Sequence, residues 1–178
     1  MKKIIIGLGS KAQIGKDYAA AQLKQYFDVE RIAFADELKN DLKYLFKQNN
    51  LDLDMINSEP ELKKVIRPLY VAYGHTMREF NENLWVDRAL KDRELNHQVT
   101  IITDVRYPNE AKRLKELGGT YIEIETNIPP ANEVEALYSP LMGGEADFVV
   151  RNNFDGKFVS DMVDLITILL KQDEHSKD

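Results

Sequence analysis

The sequence predicts an α/β protein: a mostly parallel sheet with helices on both faces, interrupted by an all-helical insert. Three observations predict it. Apolar runs of strand length alternate with stretches of helical periodicity along most of the 178 residues. Those strands read as continuous apolar runs rather than apolar/polar alternation, the pattern of strands buried on both faces. The stretch from Ser58 to Glu94 carries helical pattern and no strand.

In order, the first strand is Lys3–Leu8, and Ala19, Leu23 and Tyr26 then recur at helical spacing. A second strand is expected over Arg31–Phe34, followed by a helix whose apolar positions are Leu38, Leu42, Leu45 and Phe46. The insert occupies about residues 58–95, and Pro68 is expected to kink or break its first helix. Val99–Thr103 is the third strand. Pro108 to Leu117 opens with a proline suited to a first helical turn and stops at Gly118-Gly119, a helix-ending pair. Tyr121–Ile124 and Phe148–Val150 complete the sheet, and Phe158, Met162, Leu165, Ile166 and Leu169 mark the core stripe of a last helix. The segment from 127 to 146, with Pro129, Pro130, Pro140, Gly143 and Gly144, is expected to be either a lid or a surface loop. The whole reads as one domain.

Composition narrows the chemistry. With no cysteine there are no disulfides, thiolate nucleophiles or zinc-thiolate sites, and His75, His97 and His175 are too scattered for a histidine metal cage. No apolar run reaches the ~20 residues of a membrane span, and the short apolar run after the amino-terminal lysines reads as a strand rather than a signal peptide. A net charge of −6 argues against long nucleic acid as a partner. A soluble cytoplasmic protein is expected.

The sharpest motif is Ser10-Lys-Ala-Gln-Ile-Gly15-Lys16-Asp17, lying between an apolar strand and an alanine-rich helix. That is the context of a phosphate-binding loop. Backbone N–H groups and the helix dipole face an anion, Lys16 reaches its terminal phosphates, and Gly15 allows close approach. Ser10 stands where a glycine is usual, and Asp17 where a magnesium-ligating hydroxyl is usual; Asp17 would then hold metal directly or through water. The alternative is a strand–turn–helix junction with a chance Gly-Lys pair. A second motif is the apolar strand ending in Asp104, with Arg106 two residues on. Beside a phosphate loop, Asp104 would orient magnesium and Arg106 would sit at the mouth of the same crevice; otherwise Asp104 caps the following helix. Asp36, in Phe34-Ala-Asp-Glu-Leu-Lys39, would hydrogen-bond an acceptor sugar, act as a base, help position metal, or cap its helix. Arg67, Arg78 and Arg88 in the insert are candidate phosphate forks. Trp85 either stacks on a base or fills the insert's core.

Together, Gly9-Ser-Lys-Ala-Gln-Ile-Gly-Lys-Asp17, Phe34-Ala-Asp-Glu-Leu-Lys39 and Ile102-Thr-Asp-Val-Arg-Tyr-Pro-Asn-Glu110 resemble the bacteriophage-type deoxynucleoside monophosphate kinases. Gly74-His-Thr-Met-Arg78, Leu84-Trp-Val86, Lys115-Glu-Leu-Gly-Gly119 and Asp147-Phe-Val-Val-Arg-Asn-Asn153 extend the resemblance over most of the chain. It implies a P-loop NTPase-type fold with a substrate-binding helical insert. It also implies ATP and Mg2+ as cofactors and transfer of the γ-phosphoryl group to a deoxynucleoside monophosphate. By position, the resemblance places Lys11, Ala12, Ile14, Gly15, Lys16, Asp17 and Asn152 at ATP, with Asn152 and Asn153 in the loop bordering adenine or simply in a turn. It places Asp36, Lys39, Arg67, Arg78, Trp85 and Arg106 at the substrate, and Asp17 and Asp104 at the metal. Lys16, Asp36, Asp104 and Arg106 would form the catalytic set. The partners are small nucleotides, in the host cytoplasm if the protein is phage-encoded, with homodimerisation left open. The absence of lysine and arginine between Thr120 and Asp147 departs from lids that supply arginines, and shifts that role to Arg106, Lys11 or the insert. A kinase for another acceptor such as dephospho-coenzyme A, or a nucleotide-binding protein impaired in catalysis, are the alternatives.

Overall fold

A computed structural model describes residues 2–9, 15–127 and 146–172. Five strands form one all-parallel sheet: β1 (Ile4–Gly9), β2 (Val29–Ile32), β3 (Val99–Val105), β4 (Thr120–Glu125) and β5 (Phe148–Arg151), in the order β2-β3-β1-β4-β5. The helices are α1 (Lys16–Leu23), α2 (Phe34–Gln48), α3 (Leu53–Ser58), α4 (Pro60–Phe80), α5 (Leu84–Leu90), α6 (Pro108–Glu116) and α7 (Lys157–Lys171). The chain is thus an α/β protein with an all-parallel sheet, and the helical stretch lies between the second and third strands. No described helix is long and apolar enough to cross a membrane.

The chain divides into two compact units, one of residues 1–32 and 92–178 and one of residues 33–91. In the sheet unit, β1 lies between β3 and β4, so both of its edges are hydrogen-bonded and its residues from Ile5 onward are buried. One face of the sheet packs Ile6, Leu8, Ile101, Ile122, Ile124 and Val150 against Ala19, Ala20 and Leu23 of α1 and Phe158, Met162, Ile166 and Leu169 of α7. The alanines let α1 lie close on the sheet. Burying such aliphatic side chains contributes on the order of 1.5–3 kcal/mol each.

Several sequence expectations change. The second strand lies at 29–32 rather than 31–34, and Phe34 is instead the first residue of α2. The first helix ends at Leu23, so Tyr26 is off its face and 60% exposed. Leu45 is also exposed, because α2 buries only the stripe of Phe34, Leu38 and Leu42. Pro68 does not break its helix: α4 runs unbroken from Pro60 to Phe80. Proline removes one N–H from the ladder, and the turns on either side of it, anchored by buried Ile66 and Gly74, continue the helix. The helical unit is wider than residues 58–95, since α2 and α3 belong to it.

One close approach fixes the end of β1. A Cβ on Gly9 would fall 1.8 Å from the Oη of Tyr121 and 2.4 Å from two of its ring carbons. Only a residue without a side chain fits beside this buried ring. Gly9→Ala is therefore expected to destabilise the protein by roughly 1–3 kcal/mol, a typical overpacking cost. Thermal denaturation reads the loss. Tyr121→Leu should relieve much of it, and Tyr121→Phe little, because the ring carbons remain. A Gly9→Ala protein melting at the wild-type temperature would show that this contact does not constrain the strand.

Candidate active site

In the sheet unit the site is built where β1 and β3 end side by side. Gly9 pairs with Val105 across the parallel ladder, and neighbouring strands lie about 4.8 Å apart. Strand carboxyl ends in such sheets form the binding crevice. After β1 the chain re-enters the described region at Gly15, the N-cap of α1, with φ 90° and ψ 18°. That left-handed conformation is one glycine adopts freely and other residues rarely. Among the described residues no side chain caps this helix start, and the first amides and dipole of a helix begun in this way suit an anion. Lys16, half-buried, is the first helical residue. Lys11, Ala12 and Ile14, like Ser10, lie outside the described residues.

Asn152 flanks the same glycine. A Cβ on Gly15 would stand 3.0 Å from its Nδ2. The residue is 4% exposed, its N–H donates to the Glu125 carbonyl at 2.8 Å, and its Oδ1 accepts from the Phe154 N–H at 3.0 Å. Asn152 therefore shapes a turn before α7 and also walls Gly15. Asn153, next to it, is exposed.

Asp104 is the penultimate residue of β3 and half-buried; Arg106, just beyond the strand, is exposed and makes no side-chain ion pair among the described residues. The backbone here is held by a residue that sequence reasoning missed. Glu110, 1% exposed, accepts from the N–H groups of Arg106 at 2.8 Å and Tyr107 at 3.1 Å through Oε2. It sits at the third position of α6, where a glutamate reaches back to the helix start. The signal was present in Tyr107-Pro-Asn-Glu110, so this glutamate carries the capping role considered above for Asp104.

A second missed residue is Arg31, on β2. Its Nε and one terminal nitrogen lie 3.1 and 3.0 Å from Oδ1 of Asp17, in the first turn of α1. Nothing local in the sequence joins these two positions.

The helical unit holds the remaining candidates. The Asp36 carboxylate accepts from the Ala33 N–H at 3.1 Å and pairs with Lys39 at 3.3 Å. It thus occupies the helix-starting role weighed for it, in partnership with another predicted substrate residue. Arg67 is exposed on α4, and Arg78 is half-buried near that helix's end. Trp85 is 1% exposed, its Nε1–H donates to the Gly74 carbonyl at 3.2 Å, and its ring lies 5.5 Å from the Arg88 guanidinium and 6.0 Å from Tyr73. The stacking role expected as one option gives way to the core role, because an enclosed ring presents no face to a base. Arg88 is likewise engaged: it pairs with Asp41 at 2.6 Å and Glu37 at 3.5 Å, and Tyr73 donates to the same Asp41 carboxylate at 3.0 Å.

The donor set fits nucleotide phosphates at Gly15 and Lys16. For magnesium, no group of three or more candidate ligands clusters among the described residues. Asp104 is a carboxylate near the carboxyl end of β3, and magnesium commonly takes one or two carboxylates and completes its shell with phosphate and water.

A family model described as phosphomevalonate kinase matches residues 8–120, a span that includes the phosphate-loop region, the helical unit and Asp104, Arg106 and Glu110. No curated protein matches the chain. Among solved structures, TT1252 from Thermus thermophilus aligns with a TM-score of 0.49 at 16% identity, covering 96% of this chain and 100% of that one. Shikimate kinase from Aquifex aeolicus aligns at 0.42 and 16%, covering 96% and 98%. The tunicamycin resistance protein of Deinococcus radiodurans aligns at 0.47 and 14%, covering 96% of each.

Two outcomes follow from this geometry. Glu110→Ala leaves two backbone donors without their acceptor and should lower stability by about 1–3 kcal/mol, read as a lower midpoint in urea with an unchanged slope. In the helical unit, the hydrogen bond from Arg88, with help from Tyr73, holds the Asp41 carboxyl below the usual carboxylate range. A lowered folded-state pKa stabilises above the unfolded value, and the contribution disappears as pH falls through the folded one. Wild-type protein should therefore lose stability more steeply below about pH 4 than Arg88→Met, in melting curves taken from pH 7 to 3. Parallel curves for the two proteins would refute the role of this pair.

Proposed function

The chain belongs to the phosphomevalonate kinase family, and from that premise we propose an ATP-dependent kinase whose small acceptor already carries a phosphate, a deoxynucleoside monophosphate first. One observation carries the reading. Gly15, in a left-handed turn, opens α1 immediately before Lys16, in the crevice where β1 ends beside the strand bearing Asp104. The resemblance of the Gly9–Asp17, Phe34–Lys39 and Ile102–Glu110 segments to deoxynucleoside monophosphate kinases supports the choice of acceptor.

In this reading the α1 amides and Lys16 hold the β- and γ-phosphates of ATP. An acceptor phosphate oxygen forms the new bond to the γ-phosphorus, the bond from that phosphorus to the β–γ bridging oxygen breaks, and ADP leaves. A phosphomonoester is already largely ionised near neutral pH, with a second pKa of about 6, so no strong general base is needed. Asp36, tied to Lys39 and a backbone amide, serves position rather than proton transfer. Arg106 neutralises charge on the transferring group, and Arg67 and Arg78 are the acceptor-phosphate cations of the helical unit. Magnesium, when bound near Asp104, supplies further neutralisation of the phosphates.

The family match favours a second reading, with phosphomevalonate as the acceptor. It is also a phosphomonoester, so the nucleotide side of the site is unchanged. Purified protein with ATP, magnesium and separate deoxynucleoside monophosphates, phosphomevalonate and dephospho-coenzyme A distinguishes the readings by ADP release. Turnover on one or more deoxynucleoside monophosphates is expected, and Lys16→Ala should reduce it at least ~100-fold, the scale of losing a transition-state charge contact. Turnover on phosphomevalonate alone selects the second reading. ATP binding without turnover on any acceptor rejects both.

A further inference from the structure

Asp17 poses an electrostatic problem that the kinase reading leaves open. It follows Lys16 in the first turn of α1, at the helix end whose amides and dipole favour an anionic ligand. An unbalanced carboxylate there opposes the phosphates it adjoins. The structure shows how the charge is balanced. Two nitrogens of the Arg31 guanidinium, Nε at 3.1 Å and a terminal nitrogen at 3.0 Å, converge on the single oxygen Oδ1. Arg31 comes from β2, fourteen residues away in sequence, so the pairing depends on the fold rather than on local chain geometry.

We propose that Arg31 is a positioning residue for the nucleotide site: it pins and neutralises Asp17, so the first turn of α1 accepts a polyanion despite its carboxylate. The inference rests on the kinase reading and deepens it. It also reassigns Asp17. With Oδ1 taken by a guanidinium, its role is that of a balanced structural charge at the helix start, and Asp104 is left as the carboxylate for magnesium. A pair stabilising only the surface would leave ligand affinity untouched. A charge-balancing pair makes a specific demand: removing either member alone shifts affinity for the nucleotide in opposite directions, and removing both cancels the shifts.

The test is binding of a non-hydrolysable ATP analogue by titration calorimetry, at low salt, with and without magnesium. Arg31→Gln should weaken binding by roughly two- to threefold, the scale of two unit charges about 8 Å apart in a largely aqueous dielectric. Asp17→Asn should strengthen binding by a similar factor, and the double variant should return to the wild-type value. Arg31→Lys, which keeps the charge, should bind nearly as the wild type does. The shifts should shrink in 0.5 M salt. Melting temperatures should stay close to wild type throughout, because a pair this exposed adds little stability. Weaker binding by Asp17→Asn only when magnesium is present would make Asp17 a metal ligand and overturn the proposal. Additive losses in the double variant would overturn it as well. If the wild-type protein bound no analogue at all, the kinase reading itself would fall, an outcome distinct from binding without coupling.

Discussion

The pairing of β1 on both edges is the constraint on which the sheet unit depends. A strand enclosed by β3 and β4 exposes no backbone N–H or C=O along its ladder, so both its faces are free to be apolar and both must be covered. Ile6 and Leu8 draw α1 and α7 onto one face. Register then does the rest. Gly9 beside Val105 sets the end of β1 and the end of the acid-bearing strand at one level, without any side chain of the site having to organise the other. The Tyr121 ring, seated against Gly9, closes the opposite side of that strand end.

Around this frame the electrostatics are decided by which acids are already occupied. A protein with net charge −6 handles a polyanion only if the field at the site differs from the average over the surface. Asp17 faces Arg31, Asp36 faces Lys39 and a backbone amide, and Glu110 is filled by two backbone N–H groups. These three carboxylates thus each have a local counter-charge or donors of their own. The helix start at Gly15, Lys16 and Arg106 can then set the sign of the potential in the crevice. Distribution of charge, more than its sum, makes an acidic chain compatible with nucleotides.

How much of this was legible in the sequence follows the range of each interaction. Strands were legible because a buried parallel strand is a continuous apolar run, and the turn into α1 because its left-handed first position selects glycine, Gly15. The Glu110 cap was legible in principle, since its bonds span three and four residues. Arg31 was not, because its partner is set by where β2 lies relative to α1. Tyr26 and Leu45 misled for a related reason: periodicity marks positions that could share a face, and only packing decides where a helix stops or which apolar residue stays outside. Pro68 leaves its helix unbroken, since the cost of one lost hydrogen bond is local and a 21-residue helix anchored on both sides of it absorbs that loss.

The helical unit shows why tryptophan is a poor guide to a base-binding surface. Trp85 satisfies its single donor on the Gly74 carbonyl and has Tyr73 and the Arg88 guanidinium against its ring. Arg88 is in turn held by Asp41 and Glu37. An indole with its N–H paired and its ring enclosed is committed to stability, and the arginine above it is committed with it, since moving Arg88 to a ligand would strip the charge from Asp41 and the cation from the ring together. The arginines of this unit therefore divide by environment rather than by sequence pattern. Arg88 belongs to the frame, whereas Arg67, exposed on α4 without an ion-pair partner among the described residues, is available to an anion from solution. In the proposed kinase reading, selectivity for an acceptor is accordingly to be sought among such available groups, not in the aromatic centre of the unit.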